Sequence, residues 1–557
     1  MLVLAALLGL QLLCVHPQIP WLTWLGLGMF VLVRSEWGGG ARAARRVAGG
    51  LLALGAAVVG GLALAAPTLL PFLELVGQGN RIAPGMEVSG RLGMGAFYWS
   101  SLAVPDGGIE AFYWEYNLYT GLAVLVGGLA GLVVTWRERD SRGLWLTGAV
   151  GVLLGSGAHT PAFGLFYHLV PGASLFRLPA RAAFLAVFVL ILGLGLFLSR
   201  PTRPRLTAVG LGLGTLVAGV LFGFYQWGAP ADLPILPLPP RLLWLAVALV
   251  GLVAVAFSTA PRARHLAAAA LAVVIAADVA LAIPPAKAAW SWDVPGEGEP
   301  LIQQGLVSRG FYDERGIPPR IAVPPQMARE NAGTVYGWSG VAGFQAVSLA
   351  RVWVYLHDAL GIPLPPETAY PSPLIFERGP FPYDSMNLVA GLDSVRGLVE
   401  RGSPDPRAYV ATAARLVDSW RDAVSLMRDG HDFHRIALIE APLEPPLPVA
   451  PAGAASSRAE IEAFAAERIV VRTESGSPGV LVLAEPWYPG WEATIDGEPA
   501  ICFPANAWMR AVQVPAGRHE VVFRFRSRWL APGVGLAMVM LLILAAWAWR
   551  DWPRRTE

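Results

Sequence analysis

Long apolar runs alternate with short arginine-rich segments along the first half of the chain, and this pattern predicts membrane-spanning helices. A spanning helix needs roughly 20 largely apolar residues. Seven segments meet this requirement, namely 48–70, 118–135, 182–198, 206–226, 241–258, 265–283 and 530–549. Three shorter runs, at 1–15, 20–33 and 143–157, become spans when a few flanking residues are included. The pattern therefore predicts about ten spans, nine of them in a transmembrane domain at 1–283.

The arginines between these segments predict the orientation of the chain. Short cytoplasmic loops of membrane proteins collect lysine and arginine. Alternate loops of the ten-span arrangement carry 15 arginines, while the intervening loops carry five, which are Arg81, Arg91, Arg177, Arg181 and Arg241. We therefore expect both termini in the cytoplasm and residues 284–529 on the extracytoplasmic side.

The segment 284–529 has the charge density of a water-exposed domain. Its first part, 284–441, alternates proline-rich loops with helical stretches and predicts a mixed α/β region. The clearest predicted helix is Pro404–Arg428, because prolines stand near its start, its body is rich in alanine and Gly430 follows its end. A Pro/Ala/Ser-rich stretch at 442–457 predicts a linker.

The last extracytoplasmic part, 458–529, predicts a compact β-sandwich-like domain. Glycine in Asp496-Gly497 and Ala516-Gly517 supplies the positive φ that hairpin turns need. Short runs of β-type residues between such turns predict strands. They are Ile469–Thr473, Val480–Leu483, Trp491–Ile495, Ala500–Phe503, Met509–Val514 and Glu520–Phe525. The span at 530–549 follows directly and tethers this domain to the membrane.

Composition agrees with this division. Of the 557 residues, 55% are hydrophobic and 15% charged, whereas soluble proteins average about 45–50% and about 25%. This excludes a disordered chain and an ordinary cytosolic enzyme. The segment 284–529 holds 28 acidic and 22 basic side chains, so no basic face for nucleic acid is expected. Cys14 and Cys502 are not expected to pair, and neither a metal site nor a cofactor is predicted.

Four segments, in order along the chain, resemble the YfhO family of bacterial membrane proteins. The run EPWYPGWEATIDGEPAICFPANAWMRAVQVPAGRHEVVFRFRS (485–527) resembles the β domain that ends these proteins. The run TPAFGLFYHLVPGASLFRLPARAAF (160–184) is similar to an external re-entry segment, and EYNLYTGL (115–122) to the motif before the next span. LQLLCVHPQIPWLTWL (10–25) is similar to the family's helix–HPQ–helix hairpin.

This resemblance implies a function in the bacterial cell membrane. The family is placed with the GT-C glycosyltransferases, multispan enzymes that transfer a sugar from a lipid phosphate outside the membrane. The implied partners are membrane lipid, a polyprenyl-phosphate sugar donor and an envelope glycan acceptor. In the family, an acidic external loop with the catalytic aspartate precedes the HPQ hairpin. Because the match here already begins at residue 10, we expect that loop to be missing from these 557 residues. The sequence therefore does not decide whether the protein is an enzyme.

Sugar transfer from a lipid phosphate requires a carboxylate near the acceptor hydroxyl and cations near the departing phosphate. Acids predicted near the external face are Glu74, Asp106, Glu110, Glu115 and Asp278, of which Glu115, Asp278 and Glu74 are the catalytic candidates. The lipid-phosphate candidates are Arg177, Arg181 and His168. Each candidate also has a non-functional interpretation. Exposed acids are usually only solvated, and arginines beside a span pair with lipid headgroups or with Glu115. His168 is expected to pack at the membrane interface.

Aromatic residues of the last domain offer a second type of site. Trp487 and Trp491 belong to the run WYPGW and could stack on sugar rings. The same residues equally suit a core that locks a turn, and this interpretation is favoured.

The sequence thus predicts a polytopic α-helical membrane protein with a large extracytoplasmic α+β insert. Its expected function is glycosyltransferase-like, in envelope glycoconjugate assembly. The main alternative is a non-catalytic scaffold or accessory subunit that binds lipid-linked glycan. A transporter is less favoured, because the chain lacks the internal repeats and paired broken helices of that class.

Overall fold

The computed structural model describes two compact units. The described residues are 1–14, 17–34, 41–80, 86, 93–104, 117–176, 179–200, 203–228, 238–282, 298–312, 315–323, 333–340, 347–359, 385–393, 397–400, 404–447 and 457–551. Unit 1 comprises Met1–Ala65, Ala83–Ser291 and Leu536–Glu557, and unit 2 comprises Ala66–Ile82 and Trp292–Gly535.

Unit 1 is helical. Its described α-helices of eight or more residues are α1 (Leu2–Leu13), α2 (Gln18–Arg34), α3 (Ala41–Gln78), α4 (Leu122–Val134), α5 (Arg139–Gly155), α6 (Ala162–Leu169), α7 (Ala183–Ser199), α8 (Pro204–Gly228), α9 (Leu238–Phe257) and α10 (Pro261–Ala282). The long helix α3 contains Pro67 and Pro71, and it passes from unit 1 into unit 2 just before the first of them.

The short helix α4 lies at the centre of unit 1. Nearly all its residues are buried, including Leu122, Leu125 and Leu132. Helices α7 and α8 pack closely against it, and residues of α9 and α10 complete the same core cluster. A helix enclosed by other helices has no polar face, and its sequence LAVLVGGLAGLVV indeed has none.

Glycines bring the backbones of these helices into direct contact. A Cβ atom added at Gly128 would lie 2.4 Å from the carbonyl oxygen of Leu190, and one added at Gly131 would lie 1.8 Å from that of Gly193. On the side of α8, a Cβ at Gly210 would lie 2.7 Å from the Cα of Ala130. Small residues permit such close approach between membrane helices, where packing drives association.

The structure corrects the predicted number of spans. All ten predicted segments are helical, but among the described residues only six helices are long and apolar enough to cross a membrane. They are Arg42–Gln78, Pro179–Ser199, Pro204–Trp227, Pro240–Phe257, Pro261–Leu281 and Leu530–Arg550. Since a helix rises 1.5 Å per residue, α1 with 12 residues and α4 with 13 fall short of a bilayer core of about 30 Å. The prediction of ten spans is therefore wrong.

Unit 2 is rich in strands. Its described α-helices of eight or more residues are α11 (Gly298–Ser308), α12 (Ala350–Ala359) and α13 (Trp420–Arg428), and α14 (Leu530–Asp551) begins in it. Its strands are β1 (Arg320–Ala322), β2 (Ser339–Gly340), β3 (Ala390–Asp393), β4 (Gly397–Glu400), β5 (Ala408–Ala411), β6 (Ala413–Leu416), β7 (Ile436–Ile439), β8 (Arg458–Ala465), β9 (Arg468–Ser475), β10 (Gly479–Pro486), β11 (Trp491–Ile495), β12 (Glu498–Ala500), β13 (Cys502–Ala505), β14 (Met509–Val514) and β15 (Gly517–Phe525).

These strands form three sheets, of which two stack as a sandwich. The six-stranded sheet has the order β5-β10-β14-β13-β7-β6, the five-stranded sheet β12-β11-β15-β9-β8, and a four-stranded sheet β2-β1-β3-β4. The six-stranded sheet takes three strands from before the segment 442–457 and three from after it. Side chains such as Leu481, Leu483, Val521 and Phe523 fill the space between the two larger sheets.

The opposite face of the six-stranded sheet is covered by helices. Tyr409, Val482 and Met509 point to this face and share a core with Tyr355 of α12 and Val424 of α13. Strand β10 is consequently buried on both faces, which explains its uninterrupted apolar sequence VLVLA.

The predicted strands after residue 458 are confirmed. Strands β11 and β14 have the predicted bounds, and the predicted run Ala500–Phe503 is divided between β12 and β13. The turn Asp496-Gly497 has φ values of 50° and 89°, and positive φ at both positions is typical of a type I′ hairpin turn.

The predicted helix Pro404–Arg428 is wrong over its first half. Residues 408–411 form β5, which pairs with Val480–Leu483 of β10, and 413–416 form β6. The helix begins only at Trp420, after Ser419, whose hydroxyl accepts a hydrogen bond from the Asp422 N–H. The alanine-rich composition favours a helix, but the partner strands in the sheet override this weak preference.

Candidate functional site

Asp278 of α10 is the sequence-predicted acid with the most defined surroundings. It is 3% exposed. Its Oδ1 accepts a hydrogen bond from the Tyr119 hydroxyl at 2.6 Å, and its Oδ2 accepts one from the Leu122 N–H at 3.0 Å. Arg241 Nη1 lies 3.8 Å from Oδ1. We call these four residues the Asp278 cluster.

The cluster forms because α4 begins inside the helical unit. The first N–H groups of a helix have no partner within it, and water cannot serve them where Leu122 is fully buried. The Asp278 carboxylate supplies the acceptor from a neighbouring helix. Gly121, with φ at 100°, lets the chain turn into α4 beside it, and a Cβ there would lie 3.5 Å from Oδ2.

This arrangement joins an acid, a hydroxyl and a cation at one point of the helical unit. The N-terminus of α4 and the Arg241 guanidinium both place positive charge beside the carboxylate. A carboxylate oxygen has two acceptor positions, so each oxygen of Asp278 keeps capacity after accepting one hydrogen bond. The group therefore caps α4 and accepts the hydrogen bond of the Tyr119 hydroxyl at the same time.

Arg181 joins two of the sequence segments singled out above. It precedes α7, and its Nη1 donates to Gln18 Oε1 at 3.1 Å. Gln18 belongs to the HPQ run. Next to this contact, Trp21 Nε1 donates to the carbonyl of Pro171 at 2.9 Å, and the Trp21 ring lies 5.3 Å from that of Phe176. The runs 10–25 and 160–184 thus pack together at the start of α2 and α7.

The remaining predicted site residues lie in different environments. His168 of α6 is exposed, and its ring lies edge-on to that of its chain neighbour Tyr167 at 5.3 Å. In unit 2, Glu74 of α3 accepts a hydrogen bond from the Tyr488 hydroxyl at 3.3 Å. Burial and the neighbouring Glu74 raise the pKa of Tyr488 to about 12. Four predicted candidates lie outside the described residues, namely Asp106, Glu110, Glu115 and Arg177.

Both predicted sugar-stacking tryptophans have an arginine over one ring face. The Arg351 guanidinium lies 5.3 Å from the Trp487 ring centre, and that of Arg510 lies 3.5 Å from the Trp491 ring centre. Cation–π stacking stabilises such pairs. The occupied ring faces favour the structural interpretation of both tryptophans.

Neither Tyr119 nor the pairing of Arg241 with Asp278 was predicted from the sequence. Tyr119 is three residues before α4, and a signal was present, because a tyrosine and a glycine stand directly before an apolar run. The pairing with Asp278 joins positions far apart in sequence, which no local pattern shows. Within the described parts of the chain, the side chains of His, Cys, Asp and Glu form no group of three that could hold a metal ion.

Comparisons with known proteins add no relationship. No family model matches the chain, and neither a curated protein nor a solved structure matches it. The conclusion from sequence and structure together is that the chain is a multi-pass membrane protein that carries a strand-rich region.

Proposed function

We propose that the protein works in envelope glycoconjugate assembly and uses a polyprenyl-phosphate-linked sugar, as its resemblance to the YfhO family implies. The observation that carries the proposal is the Asp278 cluster. Tyr119 and Leu122, which hold the carboxylate, both belong to the run 115–122 of that resemblance. A carboxylate can act as the general base for a sugar hydroxyl, and this is the role proposed for Asp278.

The proposed reaction is a glycosyl transfer. The acceptor hydroxyl oxygen bonds to the anomeric carbon, the bond from that carbon to the phosphate oxygen breaks, and polyprenyl phosphate leaves. The hydroxyl proton passes to Asp278. Arg181 serves as the cation for the departing phosphate, because a guanidinium binds phosphate with two parallel hydrogen bonds. Its contact with Gln18 sets the direction of the side chain.

The proposed orientation in the bacterial cell membrane does not depend on the corrected span count. The four predicted spans that are absent from the six candidates form two consecutive pairs, α1 with α2 and α4 with α5. Removing a pair of crossings leaves every later loop on the same side. Residues 284–529 therefore lie opposite both termini with six spans or with ten. With six spans the loop that holds Arg137, Arg139 and Arg142 changes side, and the remaining majority of 12 arginines against eight still favours termini in the cytoplasm. Accessibility labelling of single cysteines introduced at the exposed positions Gly476 and Arg46 tests this orientation.

A non-catalytic accessory protein is the second candidate function. It is favoured by the hydrogen bonds of Asp278 to Tyr119 and Leu122, since capping α4 is itself a sufficient reason for a buried carboxylate. In this case the protein holds a lipid-linked glycan for another enzyme, and Asp278 contributes to folding alone.

A gene-replacement experiment separates these functions. The native gene is deleted or replaced by Asp278→Asn, by Arg181→Gln or by the control Asp140→Asn, which changes an exposed acid of the same unit. Envelope glycan modification and the amount of inserted protein are then measured. Asparagine keeps the shape of aspartate and an acceptor oxygen, so Asp278→Asn should insert normally.

The enzymatic proposal expects modification to be lost in the deletion strain and in Asp278→Asn, and to persist in the control. Modification that is lost on deletion but restored by both Asp278→Asn and Arg181→Gln would instead establish the accessory function. Modification that survives deletion would reject both functions.

A further inference from the structure

Unit 2 contains a cluster of buried arginines with too few acids to balance it. Arg320 of β1, Arg407 before β5 and Arg510 of β14 are each less than 10% exposed. Glu485 of β10 lies among them. Among the described residues this gives three buried positive charges and one buried negative charge at one end of the sandwich.

Two of the arginines have hydrogen-bond partners for most of their N–H groups, and the Arg407 Nη2 atom, which makes no hydrogen bond within the described part of the chain, lies 2.6 Å from Glu485 Oε1 as an ion pair. Arg320 Nη2 donates to Glu485 Oε1 at 2.5 Å, and its Nη1 donates to the carbonyls of Met386 and Ala484. Arg407 Nε donates to the same Glu485 oxygen at 2.7 Å, and its Nη1 donates to the carbonyl of Pro318. The single carboxylate is thus already shared between two guanidinium groups.

Arg510 differs from these two. It is 4% exposed, and its Nε and Nη1 atoms are buried with no hydrogen-bond partner among the described residues. Its guanidinium stacks on Trp491 of the five-stranded sheet, but an aromatic ring face does not replace a hydrogen-bond acceptor. An unsatisfied buried donor is costly, and more so when it carries charge.

The neighbouring ionisable groups do not supply the missing negative charge. Burial raises the pKa of the Cys502 thiol to about 11, so the thiol is neutral at physiological pH. Burial would raise the pKa of Glu485, but the surrounding arginines keep it below its ordinary value, so its one charge is already present. Burial lowers the pKa of Arg510 only to about 10, and the guanidinium stays charged.

We propose that a small halide, chloride under physiological conditions, binds at the Nε and Nη1 atoms of Arg510 in this buried arginine cluster. A single-atom anion suits the packed interior between two sheets better than a larger oxyanion. It accepts hydrogen bonds from any direction, and it reduces the net charge of the cluster. The bound ion would act as a structural ligand of the folded sandwich.

The test uses the purified full-length protein in detergent micelles. Thermal unfolding is followed by tryptophan fluorescence while sodium gluconate is replaced by sodium chloride at constant ionic strength. A ligand that binds only the folded state raises the unfolding temperature by an amount that grows with the logarithm of its concentration above the dissociation constant, and we expect a rise of about 2–4 °C. Arg510→Met should abolish the rise, whereas the control Arg518→Met, at a 78% exposed side chain, should retain it.

An unfolding temperature that is equal in chloride and gluconate would overturn the proposal, as would the same rise in Arg510→Met. If Arg510→Met does not fold, crystals of the wild-type protein grown in bromide test whether a halide binds at Arg510. Anomalous scattering should show a bromide within hydrogen-bond distance of Arg510 Nε, and a map without it there would count against the site.

Discussion

Replacing Gly131 by alanine should force α4 and α7 apart. The new Cβ would lie 1.8 Å from the carbonyl oxygen of Gly193 and 2.9 Å from the amide nitrogen of Phe197. Ordinary van der Waals contact begins at 3.4 Å, so the two backbones must separate by about 1.6 Å along this contact. Both opposing groups are backbone atoms and cannot rotate away as a side chain can.

The size of the effect follows from the loss of packing around this point. Overpacking a core typically costs about 1–3 kcal/mol, and gaps of about 0.5–1 Å already forfeit a quarter to a half of each dispersion contact. Because a backbone shift affects the whole α4–α7 contact, we expect a loss of about 3 kcal/mol or more. The higher helix preference of alanine returns at most about 1 kcal/mol.

The assay is thermal unfolding of the full-length protein in detergent, followed by the fluorescence of its 21 tryptophans. Gly195→Ala is the matched control, because Gly195 lies in α7 with no atom within 4 Å of the added Cβ. Gly195→Ala should unfold at or above the wild-type temperature, and Gly131→Ala several degrees below it. Equal unfolding temperatures for the two variants would refute the close backbone contact between α4 and α7.

Three further predictions concern unit 2. The hydrogen bond between His519 and Asp496 raises the pKa of His519 and lowers that of Asp496. The pair should therefore stabilise the folded protein between about pH 4 and 6.5, and this stabilisation should be lost as the pH rises further. In thermal unfolding, His519→Gln should consequently destabilise the protein more at pH 5.5 than at pH 8.5. Ser419→Ala removes the cap of α13 and should lower the free energy of unfolding by about 1 kcal/mol in a urea titration. Arg351 donates to both oxygens of Glu440, so Arg351→Lys should cost about 1.5–3 kcal/mol, and a double-mutant cycle with Glu440→Gln should show strong coupling.

The local sequence pattern was sufficient to predict those elements whose structure depends mainly on their own residues. The bounds of β11 and β14 followed from β-type residues between turns, and the turn at Asp496 and Gly497 followed from glycine. The positions of the helices followed from apolar runs. The number of spans did not follow from the apolar runs. Helix α4 is as apolar as a spanning helix but has only 13 residues, and its apolar composition is explained by its burial within unit 1.

The features that depend on distant partners could not be predicted. Strand β5 resembles the start of a helix until β10 pairs with it. Asp278 was predicted as a catalytic candidate near the external face, but its partner Tyr119 is 159 positions away in sequence and could not be assigned to it. Buried arginines are equally hidden, because pattern analysis places charged residues on the surface unless their partners are known.

The strand order of the six-stranded sheet determines when the sheet can form during synthesis. Strands β6 and β7, with α13 between them, pair with each other and can assemble as soon as they leave the ribosome. Strand β5 must wait for β10, and β7 reaches the rest of the sheet only through β13. A nascent chain that ends at residue 475 therefore leaves β5, β7 and β9 without their later partners, and unpaired strand edges are prone to aggregation. The later segment from β10 to β14 joins these earlier pieces into one sheet.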